Sequence, residues 1–122
     1  MVASRVFRRV EVAGGSMEPT FRAGDRLVVL ARPVGGPAWP AVGDVVAVAD
    51  PRDPSRVLVK RVAAVDRAAG ALDVRGDDPG ASTDSRHFGP VPLASVVGRA
   101  VYRYAPPGRT GPAPWPTEYH RT

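Results

Sequence analysis

Apolar residues fall along this chain in short, valine-rich runs, several of them alternating with charged positions. "RVFRRVEV" (5–12), "DRLVVLAR" (25–32), "DVVAVAD" (44–50), "RVLVKRVAAVD" (56–66), "ALDVRG" (71–76) and "SVVGRAVYRYA" (95–105) are the main runs. β-Branched side chains pack well on a pleated surface, so runs of this length predict six strands. No long 3.6-residue period appears, and helix is expected only as a short turn after Ser16. Three runs are bounded by Gly-Asp, at 24–25, 43–44 and 76–77. Glycine accepts positive φ and aspartate bonds nearby backbone N–H groups, so all three read as turns. The pattern predicts one mainly-β domain of short, partly barrel-like antiparallel sheets with little helix.

Between the strands, "PVGGPAWPAVG" (33–43) reads as a loop. "DDPGASTDSRHFGPVP" (77–92) is a long polar segment, and such a segment in a compact domain is either functional or disordered. A catalytic domain over 1–105 is expected, followed by a flexible Pro/Gly-rich tail over 106–122. No apolar run reaches the ~18 residues that cross a bilayer. The first residues also lack the apolar core of a secretory signal. These observations predict a cytoplasmic protein with no integral membrane anchor.

Composition narrows the chemistry. The 122 residues include no cysteine and two histidines, which excludes disulfides and thiol nucleophiles. No metal or other cofactor is expected. A net charge of +5 raises nucleic acid as a partner. The arginines are scattered and aromatics make up 7%, so no stacking series accompanies them and no nucleic acid is expected. A non-catalytic basic β-barrel binding module stays open as the alternative to an enzyme.

One cation stands out. The chain has a single lysine, Lys60, against 16 arginines, and it sits inside an apolar strand. A lysine amine sheds its proton when burial penalises its charge; a guanidinium does not. Leu58 and Val62 share the strand face of Lys60, an apolar setting that would make it a neutral general base. The plainer reading is an edge lysine that snorkels its amine to water. With no cysteine, the base would serve a hydroxyl, and Ser16 in "GGSMEPTF" is the candidate. Gly15 before it leaves room for a substrate backbone, and the Ser16 N–H could serve an oxyanion. A capping serine is the plainer reading here too. In the 77–92 segment, Ser82 could orient an amine. Asp77, Asp84 and Arg86 could form an ion-pair network, with Arg61 as a further member.

Taken in order, "SMEPTFRAGDRLVV", "GDVVAV" with "VLVKRVAAV", and "GDDPGASTDSRHFGPVP" resemble the three conserved boxes of the type I signal peptidases, the Ser/Lys-dyad proteases. The resemblance covers about residues 10–103. It implies a serine endopeptidase with Ser16 as nucleophile and Lys60 as general base. It implies Ser82 as the group orienting that base, and Gly15, Ser16 and Met17 at the oxyanion and substrate pocket. Arg61, Gly76, Asp77, Asp84 and Arg86 would form the structural network. Gly14 stands where some members carry a hydroxyl donor, and Asp78 where Asn is usual. Within the family, the chain is similar to soluble proteases that mature nickel-type superoxide dismutase. That similarity implies a protein substrate, a precursor with an N-terminal propeptide. Processing of other, exported precursors is the alternative within the family.

Overall fold

The computed structural model describes residues 7–31 and 39–116. Among the described residues, eight strands form one antiparallel sheet: β1 (Phe7–Glu11), β2 (Arg26–Ala31), β3 (Val45–Asp50), β4 (Asp53–Asp66), β5 (Ala71–Arg75), β6 (Val91–Pro92), β7 (Val96–Ala105) and β8 (Gly111–Pro112). Their order is β1-β2-β7-β3-β4-β5-β6, with β8 added onto β7. One four-residue helix, α1 (Ser85–Phe88), and two single 3₁₀ turns are the helical elements among the described residues. This is the mainly-β, single-domain architecture expected from the valine pattern. The two-residue strands β6 and β8 and the short helix are additions to it.

β3 runs between β4 and β7 and is buried on both faces. Successive side chains point to opposite faces, so "VVAV" supplies two cores. Val45 and Ala47 join Val12, Met17, Phe21, Leu27, Val29, Val59 and Ala100. Val46 and Val48 join Val62, Leu72, Val74, Val91 and Val96. Each fully buried Val or Leu contributes about 1.5–3 kcal/mol. Lys60 pairs across the strands with Val46, so it lies on the second of these faces.

The Gly-Asp pairs divide into two kinds. Gly24 and Gly43 have φ of 92° and 95°, the left-handed region that favours glycine. The aspartates after them make the same local bond: Arg22 N donates to Asp25 Oδ2 at 2.9 Å, and Ala41 N to Asp44 Oδ2 at 3.0 Å. Gly76 is different. Its φ is not positive, and a Cβ there would lie 2.3 Å from Ser82 Oγ and 2.5 Å from the Ser16 carbonyl oxygen. The third Gly-Asp marks a close approach of three segments, so reading it as another turn is corrected.

The tail is corrected as well. Residues 106–116 fold back on the sheet, with β8 pairing Tyr102 and Arg103 of β7. Trp115 meets the Phe21 ring edge-on, centroids 4.9 Å apart. Residues 117–122, most of the expected loop 33–43 and the start of the first predicted strand lie outside the described residues.

Candidate active site

Lys60 is 3% exposed, deep in the strand that its apolar neighbours bury. Leu58 packs against the second core and Val62 belongs to it, so both flank the amine with hydrocarbon. Burial pushes the Lys60 amine below its ordinary value, and the Arg52 and Arg86 charges push the same way. The nearby carboxylates of Asp84 and Asp50 oppose the shift without reversing it.

One hydroxyl meets this amine: Lys60 Nζ lies 3.0 Å from Ser82 Oγ. Ser82 Oγ donates its only proton to Asp84 Oδ2 at 2.5 Å. Its oxygen is therefore left to accept an N–H from Lys60. Asp84 is 0% exposed and accepts further bonds from Gly76 N at 2.9 Å and from Arg86 Nη2 at 2.6 Å. Burial would raise the Asp84 pKa, but the bonds from Arg86, Ser82 and the Gly76 backbone outweigh it and hold the carboxyl well below the usual range. Asp84 also caps α1, accepting from Arg86 N at 3.1 Å. The polar segment 77–92 is thus ordered by one buried carboxylate.

Ser16 opens a tight turn in which Phe21 N donates to Met17 O at 2.9 Å. Two bonds staple this turn to the last segment. Asp78 N donates to the Ser16 carbonyl at 2.9 Å, and Thr20 Oγ1 donates to Asp77 Oδ2 at 2.5 Å. Asp77 in turn takes a forked pair of bonds from Arg61, Nε to Oδ1 and Nη2 to Oδ2, both at 2.8 Å. Arg61 follows Lys60 in β4 and points to the opposite face, so adjacent residues serve the two sides of the site.

The structure therefore brings together Ser16, Lys60, Arg61, Gly76, Asp77, Ser82, Asp84 and Arg86. Two of the ion pairs here are Arg61–Asp77 and Arg86–Asp84. Ser16 Oγ and Lys60 Nζ are not hydrogen-bonded to each other. Their segments meet at Gly76, where the Ser16 carbonyl and Ser82 Oγ both press on the space a side chain would need. The Ser16 hydroxyl makes no hydrogen bond among the described residues, which leaves it free to rotate. Met17 is 1% exposed and fills the first core, so it supports the turn from beneath instead of lining an open pocket. Gly15 sits half-buried beside Ser16, and its carbonyl accepts from Glu18 N at 3.2 Å.

Two contacts had no clear signal along the chain. Thr20 reads as local punctuation, yet its partner Asp77 is 57 residues away. Ser85 Oγ accepts the Val74 N–H at 2.9 Å, on the edge of β5 where the short β6 does not reach. A cavity of about 810 Å³ lies on the Arg61 side, lined by Gly43, Arg61, Gly76, Asp77, Pro114 and Trp115 among others. Neither Ser16 nor Lys60 borders it.

The signal peptidase model, peptidase S26, matches residues 1–66 and 68–105. The chain belongs to this family. It is a serine peptidase of the signal-peptidase type. It is 36% identical over 124 residues to the mitochondrial ATP-independent inner membrane protease subunit 1a of Arabidopsis thaliana, covering 84% of this chain and 73% of that protein. Subunit 2 from the same plant is 31% identical over 112 residues, covering 73% of this chain and 53% of that protein. A shorter match of 40 residues, 45% identical, links 33% of this chain to 12% of thylakoidal processing peptidase 1. These names overturn the cytoplasmic location expected above, since they belong to proteases of an inner membrane. That expectation rested on missing apolar runs, which do not report where a peptidase works. Among the described residues, no helix is long and apolar enough to cross a membrane.

Proposed function

We propose that this peptidase removes an N-terminal segment from a precursor presented at a membrane, with Ser16 as nucleophile and Lys60 as general base. Neutral Lys60 takes the Ser16 proton as Oγ attacks the peptide carbonyl. The Ser16 N–H, with the open Gly14-Gly15 backbone beside it, receives the oxyanion. Collapse of the tetrahedral intermediate breaks the C–N bond, and Lys60 returns the proton to the leaving amine. Water, deprotonated by Lys60, then attacks the acyl carbon; the ester bond to Ser16 Oγ breaks, and Lys60 returns the proton to Oγ.

One observation carries this reading: the chain's single lysine is buried, and the hydroxyl beside it has its proton committed to Asp84. The bond to Ser82 then uses an N–H of the amine and leaves the lone pair for Ser16. Lysine could not be replaced by any of the surrounding arginines in this role. The names of the relatives favour membrane-bound precursors as substrates. Maturation of nickel-type superoxide dismutase rests on the resemblance alone, and no contact in the fold favours it.

The test is to incubate the protein with precursors carrying small residues before the cut, both vesicle-bound signal-bearing precursors and the soluble dismutase propeptide. New N-termini are then sequenced. A single defined cut in the vesicle-bound set supports the reading; cleavage of neither set sinks it. The pH profile of kcat/KM is a second check. Only neutral Lys60 is active, so the rate should rise with pH along a limb centred below 10.5, the ordinary lysine value. A limb at 10.5 would mean that the base is not this buried amine.

A further inference from the structure

We propose that residues 106–116 form a strap that seats the nucleophile turn, with Arg109 as its positioning residue. The proposal rests on Ser16 being the nucleophile. Its starting point is Asp25, 2% exposed, at the opening of β2. Asp25 Oδ2 accepts from Arg22 N at 2.9 Å, Arg109 Nη2 at 2.8 Å and Arg103 Nη1 at 3.4 Å. Arg103, from β7, also donates through Nη1 to the Thr20 carbonyl at 2.8 Å and through Nε to the Arg109 carbonyl. The strap thus fixes the arginine that fixes Thr20.

Thr20 is consequently held from two sides, its hydroxyl by Asp77 and its carbonyl by Arg103. The residue after it, Phe21, is fully buried between the Arg103 guanidinium, 5.4 Å from the ring centroid, and Trp115 of the strap. Three residues separate Ser16 from Thr20, so a displaced Thr20 carbonyl moves the turn that carries the hydroxyl. The strap itself is anchored apart from Arg109, by β8 on β7 and by Ala113 N donating to Val101 O at 3.0 Å. Arg109 Nε is buried and has no hydrogen-bond partner among the described residues. A stranded donor is costly, so the side chain is seated for what its other end does at Asp25.

Arg109→Gln tests the role. Asp25 keeps Arg103 and the Arg22 N–H, so no buried carboxylate is stranded. The expected result is a kcat about 10- to 100-fold lower with KM unchanged, as for a slightly misplaced nucleophile. The chain has two methionines, Met1 and Met17, so ¹³C-methyl labelling gives an assignable signal from within the turn. The Met17 resonance should move in Arg109→Gln, and Arg109→Lys should restore both resonance and kcat. An unmoved resonance with unchanged kcat, a change in KM alone, or no rescue by lysine would overturn the proposal. Should Arg109→Gln fail to fold, Trp115→Leu takes its place, with the same expected fall in kcat and the same reversal if kcat holds. Cleavage by Ser16→Ala would remove the nucleophile reading, while the Met17 signal would still report whether the strap seats the turn.

Discussion

Ser16→Ala and Lys60→Met are each expected to abolish precursor cleavage while the protein stays folded. Loss of a nucleophile or of its base typically costs about 10³- to 10⁶-fold in rate. The fold should tolerate both changes. The Ser16 hydroxyl makes no hydrogen bond among the described residues, and the turn is held by backbone atoms and by Thr20. At Lys60, methionine replaces a desolvated amine with a side chain of similar length on an apolar face. Ser82 would keep its bond to Asp84. Lys60→Arg separates charge from basicity: it keeps a cation and should still be inactive, because a guanidinium does not deprotonate. Mass spectrometry of the products alongside thermal melting checks all three. Wild-type rates in Ser16→Ala would end the assignment of the nucleophile, and wild-type rates in Lys60→Arg would end that of the base.

The next largest effect is expected at a residue with no side chain. In Gly76→Ala the new methyl would lie 2.3 Å from Ser82 Oγ, 2.6 Å from Ser82 Cβ and 2.5 Å from the Ser16 carbonyl. None of these neighbours can move freely. Ser82 is tied to Asp84 and Lys60, and the Ser16 carbonyl is tied to Asp78 N. Overpacking of this kind costs about 1–3 kcal/mol. The collision pushes Ser16 and Ser82 apart, and an ångström of misplacement costs about 10²-fold in rate. Gly43→Ala is the matched control. Its φ of 95° makes it strained, but nothing lies within 4 Å of its Cβ. Urea unfolding should show both variants weakened, with the large loss of kcat confined to Gly76→Ala. Equal kcat in the two would show that the notch does not hold the site together.

Much of the fold was legible because valine alternation is a local signal. Each of the six predicted strands corresponds to an observed one, with bounds shifted by a few residues. β4 starts at Asp53, ahead of the valine run, because pairing with β3 carries the strand past the residues that favour it. β8 consists of Gly111 and Pro112, which have no strand propensity and exist as a strand only through β7. α1 is one turn long, too short for a helical period, and is set by the Asp84 cap. The Pro/Gly composition of 106–116 implied looseness, but composition does not register Arg109 meeting Asp25 across 84 residues.

The order of the three boxes along the chain was enough to name the family, the residue types and the chemistry they permit. A lone lysine among arginines is a property of the chain itself, and so is the absence of any thiol, which leaves a hydroxyl such as Ser16 as the candidate nucleophile. The state of that lysine was a matter of tertiary structure. Desolvation depends on what packs around an amine, and the walls come from β3, β4 and the last segment together. The same holds for Gly76, which looks like its two predecessors in sequence and differs because the Ser16 turn and Ser82 close on it. Local pattern chose the strands and the candidate groups; the fold decided how deeply each group is buried and how closely their segments meet.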